Sequence, residues 1–109
     1  MKLLKYEFQS KDERRTLTQL LTDDIKQVNF YEANYGAELG NHFHKETFEY
    51  FYILSGVLVY NSKKFIKKGD LFLVELNENH TLTVKSDKAT FMTFLTKPFT
   101  KENPDLWKS

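Results

Sequence analysis

At 109 residues, 40% of them hydrophobic and 16% aromatic, the chain is long enough to bury one core and too short for two. Its 16 Lys and Arg stand against 15 Asp and Glu, and a net charge of +1 argues against nucleic acid or any other polyanion as a partner. The absence of cysteine excludes a disulfide framework and a thiolate metal site. No apolar run approaches the ~18 residues that cross a bilayer, and residues 1–7 lack a signal-peptide core. The expectation is a cytoplasmic protein without membrane contact.

The ten Phe and six Tyr favour strands. In chain order, short apolar or alternating runs predict strands at 3–8, 16–21, 27–35, 40–44, 48–54, 57–61, 63–67, 70–76, 81–85 and 89–96. Polar clusters mark turns between them: Ser10-Lys11-Asp12, Thr22-Asp23-Asp24, Ser55-Gly56, Lys68-Gly69-Asp70, Asn77-Glu78-Asn79 and Ser86-Asp87-Lys88. No stretch keeps a helical period over three turns. The pattern predicts an all-β, antiparallel sandwich or barrel forming a single domain over 1–109, with its core at about 27–96. The tail, 97–109, reads as irregular or as one helical turn carrying Leu106 and Trp107. The lysines of 63–68 read as the exposed side of a hairpin with Phe65 and Ile66 partly buried. The run 50–54 is apolar on both faces, so its outer face calls for a second sheet or a second subunit, and a homodimer is the expected state.

All three histidines join one carboxylate in a pattern. Gly36, five residues, His42-Phe43-His44, four residues, Glu49, six residues and Gly56 form the first stretch; Gly69 opens a second that reaches His80. Side chains alternate along a strand, so His42 and His44 share a face. Glu49 shares its face with Phe51 and Ile53, and His80 with Leu82 and Val84. Each polar group thus stands at one end of an apolar strip, as at the mouth of a barrel above a packed floor. Imidazoles with a carboxylate are a ligand set for a divalent transition metal. Taken alone, a His-x-His pair on a strand is more often two solvent-facing residues. At the start of its strand beside a polar turn, His80 is expected to leave little cavity when truncated, whereas Leu82, deeper on the same face, is expected to behave as core.

These residues resemble the cupin family. Its first motif is Gly, five residues, His-x-His, three or four residues, Glu, six residues, Gly, and Gly36, His42, His44, Glu49 and Gly56 match it throughout. In the second motif Gly69 and His80 match, while Glu75, Asn77 and Val84 stand where the family has Pro, Gly and Asn. The resemblance implies a double-stranded β-helix (jelly-roll) barrel holding one divalent metal, Zn, Fe, Mn or Ni, on His42, His44, Glu49 and His80. It also implies a small-molecule ligand in the barrel. A narrower likeness links Asp12-Glu13-Arg14-Arg15-Thr16-Leu17, residues 26–30 and residues 40–45 to cupins of nucleotide-sugar and capsular polysaccharide biosynthesis. There Arg15 replaces a Gly, and Leu39 stands where many relatives place an arginine suited to a phosphate. Such relatives isomerise or epimerise keto-sugars, and by that likeness His42 would be the catalytic base. The function expected is that of a metal-binding cupin acting on a sugar or keto-acid, with non-catalytic binding or sensing as the alternative. Tyr31, Tyr35, Tyr50, Tyr52 and Tyr60 supply candidate hydroxyl donors.

Overall fold

The computed structural model describes residues 1–108 and contains eleven strands and, among those residues, no helix. They are β1 (Lys2–Leu4), β2 (Phe8–Lys11), β3 (Thr16–Gln19), β4 (Gln27–Asn34), β5 (Glu38–His42), β6 (Glu49–Ser55), β7 (Val57–Tyr60), β8 (Lys64–Lys67), β9 (Leu71–Val74), β10 (His80–Val84) and β11 (Lys88–Leu95). One sheet runs β1-β9-β6-β11-β4 and the other β5-β10-β7-β8, every pair antiparallel. From β4 onward the chain changes sheet at each connection except the β7–β8 hairpin. That alternation winds the strands into a jelly roll. A separate two-stranded sheet joins β2 to β3.

The core lies between the two larger sheets because their strands alternate in burial. Phe51, Ile53, Phe72, Val74 and Phe91 come from one sheet, and Leu58, Ile66, Leu82 and Val84 from the other. Phe51 and Phe72 stack with ring centroids 4.9 Å apart. Each such side chain contributes on the order of 1.5 to 3 kcal/mol by leaving water. Gly56 makes the β6–β7 turn at φ +87°, where an added Cβ would lie 2.7 Å from the Ala89 Cα, so only glycine fits.

Several expectations need correction. The strand expected at 3–8 is two pieces, because β1 pairs with β9 whereas β2 pairs with β3. Ser10 and Lys11 are inside β2, and the turn falls at residues 12–15. There Asp12 Oδ1 accepts from the Arg14 amide at 2.8 Å and the Arg15 amide at 3.1 Å. Strict alternation on β8 buries Ile66 completely but leaves Phe65 exposed, so the two are not jointly half-buried. Of the two alternatives for the tail the irregular one holds, with no helical turn among the described residues. Trp107 instead exchanges backbone hydrogen bonds with Phe43, at 2.9 and 3.1 Å. The outer face of β6 is partly covered by the chain itself: Tyr50 donates to Asp23 at 2.5 Å, and Tyr52 lines a groove with Leu4, Tyr6 and Leu20. Among the described residues no helix is long and apolar enough to cross a membrane.

Candidate metal centre

His42 ends β5, Glu49 begins β6 and His80 begins β10, so the group bridges the two sheets at one end of the sandwich. His44 lies beyond β5, just before the bend that leads to β6, not inside the strand expected at 40–44. In the β5–β10 ladder His42 stands opposite His80, with a bulge between His80 and Thr81. Just before His42 the backbone takes left-handed turns at Gly40 (φ +94°) and Asn41 (φ +60°). Such a distortion re-aims the side chains that follow. It also brings β5 so close to β10 that a Cβ on Gly40 would sit 2.6 Å from the His80 carbonyl oxygen. The His42 ring meets those of His44 and His80 edge-on, with centroids 5.0 and 4.5 Å away.

The four expected ligands come together, each offering a donor atom, and all these atoms lie within 4.8 Å of one another. Ligands held ~2.0 to 2.2 Å from one ion are separated by ~3 Å when adjacent and ~4.4 Å when opposite. The observed spread is close to that. Glu49 Oε1 stands 3.1 Å from His44 Nε2 and 3.6 Å from His80 Nε2. His44, Glu49 and His80 are buried, whereas His42 keeps partial access to solvent. The burial of His80, at 1% exposure, overturns the expectation that its truncation leaves little cavity: it packs edge-on to Phe51.

The hydrogen bonds fix which nitrogen of His44 carries a proton. Its Nδ1 lies 2.8 Å from the backbone carbonyl of Asp105, an oxygen that can only accept. Nδ1 is therefore the N–H, and in the neutral ring the Nε2 lone pair points at the Glu49 carboxylate. Two facing lone pairs repel, so a cation belongs between them, either a second proton or a metal ion. Burial disfavours charge on His44, but the Glu49 carboxylate and the Asp105 carbonyl outweigh it and raise its pKa. Burial and then the neighbouring His80 and His44 push His42 down to about 4. Burial also holds His80 below its ordinary value, against the pull of Glu49. His42 and His80 are thus neutral near pH 7, the form that ligates metal or accepts a proton.

These groups line a cavity of about 520 Å³. Leu39, Phe51, Leu82, Phe91 and Leu95 give it apolar walls, and Gln27, Asn29 and Tyr31 add polar groups from β4. Phe30, Phe99 and Leu106 are exposed lining residues and so belong to its rim. Among the candidate tyrosines only Tyr31 reaches this cavity; it stacks on Phe91 with centroids 4.7 Å apart. Burial and the Glu49 charge raise its pKa, so its hydroxyl remains a donor. Tyr35 is exposed, and Tyr60 is committed to Glu78. Gln27 and Asn29 were missed at the level of sequence, although they alternate with Tyr31 and Ala33 on the inward face of β4. Asp105 and Leu106, about sixty residues beyond the histidine pair, gave no local signal.

A two-sheet jelly roll with a His/Glu cluster at one end defines the class, and the family model described as Cupin domain matches residues 29–96. The chain belongs to the cupin family. No curated protein matches it in sequence. Among solved structures it is similar to a 3,4-ketoisomerase from Helicobacter canadensis, with 15% identity, TM-score 0.78, and coverage of 99% of this chain and 90% of that one. It is similar to the dTDP-6-deoxy-D-glucose-3,5-epimerase RmlC from Legionella pneumophila, with 18% identity, TM-score 0.67, and coverage of 87% and 66%. It also resembles the capsular polysaccharide assembling protein CapF from Staphylococcus aureus, with 22% identity and TM-score 0.66. That match covers 97% of this chain but 34% of CapF, so the chain spans about a third of that protein's length. At these identities the likenesses establish the fold.

Proposed function

We propose that this cupin domain binds one divalent transition metal on His42, His44, Glu49 and His80 and acts on a small polar metabolite, a sugar or keto-acid, as an isomerase or epimerase. The observation that carries the reading is the convergence of the four donors, with His44 Nε2 and Glu49 facing each other across a gap that calls for a cation. Three imidazoles and one carboxylate suit Fe, Mn, Ni or Zn. A bound ion would polarise a substrate carbonyl and favour loss of the adjacent proton. Gln27 and Asn29 offer amides to hydroxyl groups, and the Tyr31 hydroxyl is a donor for a developing oxyanion. Neutral and partly open to solvent, His42 is also the group suited to accept a carbon-bound proton. It serves as ligand or as base, and the two roles compete for one lone pair. Among the described residues no Lys or Arg lines the cavity, which favours an uncharged sugar, or an acid whose carboxylate reaches the metal, over a phosphate-bearing substrate. Three of the similar solved proteins are a ketoisomerase, an epimerase and a capsular polysaccharide assembling protein, which supports a sugar as the substrate.

Elemental analysis of protein prepared without chelator or affinity tag should find up to about one divalent ion per chain. If no ion is found either as isolated or after reconstitution, the metal reading fails. Solvent deuterium uptake next to the carbonyl of keto-sugars and keto-acids, followed by NMR, tests the chemistry. Uptake that is lost on chelation supports metal-dependent catalysis. Uptake that survives chelation but not His42→Ala makes His42 the base. A ligand that binds without exchange makes this a binding or sensing module.

A further inference from the structure

The most heavily hydrogen-bonded side chain outside the histidine cluster is Asp105, in the C-terminal segment. Its carboxylate accepts from the Lys45 amide at 2.9 Å, the Glu46 amide at 2.9 Å, the Thr47 hydroxyl at 2.8 Å and the Trp107 indole at 3.1 Å. Three of these donors belong to the bend that directly follows His44. The Asp105 backbone is left-handed, at φ +48°, a conformation that aspartate tolerates and most residues resist. In that pose its carbonyl meets His44 Nδ1 at 2.8 Å. Trp107 pairs with Phe43 on the other side of His44, and its ring lies under the Lys45 ammonium, 3.8 Å from the centroid. Leu106, between the two, reaches the cavity rim.

We infer that residues 104–107 are a strap that sets the tautomer and orientation of His44, with Asp105 as the positioning residue. The carboxylate clamps the strap to the bend, the clamp holds the Asp105 carbonyl at Nδ1, and Nε2 is thereby left bare toward Glu49. A ring donating Nδ1–H to a fixed carbonyl is a better and better-aimed ligand. The strap thus tunes the affinity of a site whose histidine pair lies some sixty residues earlier in the chain. The inference about metal affinity rests on the proposed metal site; that about the tautomer does not.

Two measurements keep those apart. The first is a 15N–1H correlation of the imidazoles in chelated protein, at a pH where His44 is neutral. The parent should show His44 protonated at Nδ1, whereas Asp105→Ala should mix the two tautomers. Unchanged tautomer in the variant overturns the strap. The second is Zn(II) affinity by chelator competition. Asp105→Ala should weaken binding about 10- to 100-fold, and Asp105→Asn, which keeps an acceptor and tolerates the left-handed backbone, by less. Ile66→Ala, a core truncation in β8 away from the cavity, controls for lost stability and should leave affinity within about threefold. Asp105→Ala binding Zn(II) within that same margin of the parent overturns the strap's effect on metal affinity. If the parent binds no Zn(II) yet shows the tautomer change, the strap stands and the metal site falls.

Discussion

At the residue level, protonation couples the site to folding. Without metal, His42 is lowered from 6.5 to about 4, chiefly by burial, so the unfolded chain binds this proton more readily. The stability His42 contributes is present above 6.5 and is lost as pH falls toward 4. His80, also lowered, has the same sign. His44, raised by Glu49 and Asp105 against the cost of burial, has the opposite one. Its contribution is present below 6.5 and fades as pH rises through its folded value. Two groups against one predict that the urea midpoint of chelated protein falls between about pH 7 and pH 4. A flat or rising midpoint across that window contradicts the burial assigned to His42 and His80. With metal present the decline should steepen, because protons then also compete for the ligands.

Among the elements, the β5–β10 contact positions the site most directly. A Cβ on Gly40 would meet the His80 carbonyl in a strained left-handed backbone, so Gly40→Ala should cost about 2 to 4 kcal/mol and displace His80. Gly36 is also left-handed, at φ +82°, but open space surrounds it, so Gly36→Ala should cost only about 1 to 2 kcal/mol. Urea denaturation of the two metal-free variants checks the difference. Equal costs would mean that β5 can move away from β10, and that the close approach is not what holds His42 opposite His80.

For the whole molecule, apolar surface is left open on an edge strand and on a hairpin outside the two large sheets. β4 is an edge strand paired only with β11, and it exposes Val28 and Phe30 beside the cavity rim. The β2–β3 hairpin joins neither large sheet and exposes Phe8 and Leu17. An edge strand with apolar neighbours is a surface that a second copy can cover. Sedimentation should therefore find a homodimer at tens of micromolar (on the order of an ordinary self-association), and Phe30→Glu should shift it toward monomer. A compact parent monomer at that concentration would refute the dimer.

Local pattern carried the fold a long way. Alternating aromatic and β-branched runs, punctuated by Gly, Asn and Asp turns, placed the strands from β4 to β11 within a few residues, because burial on a sandwich face is written with a period of two. Motif spacing grouped His42, His44, Glu49 and His80, and the fold brings the four together. It failed where partners were distant in sequence. The split of the first strand depended on which sheet each half joined, and the burial of His80 depended on Phe51 from the opposite sheet. Asp105 depended on a bend some sixty residues away, and no periodicity marks a carbonyl that will meet an imidazole. The four donors were decided by sequence; what orients His44 was decided only when the tail folded back across it.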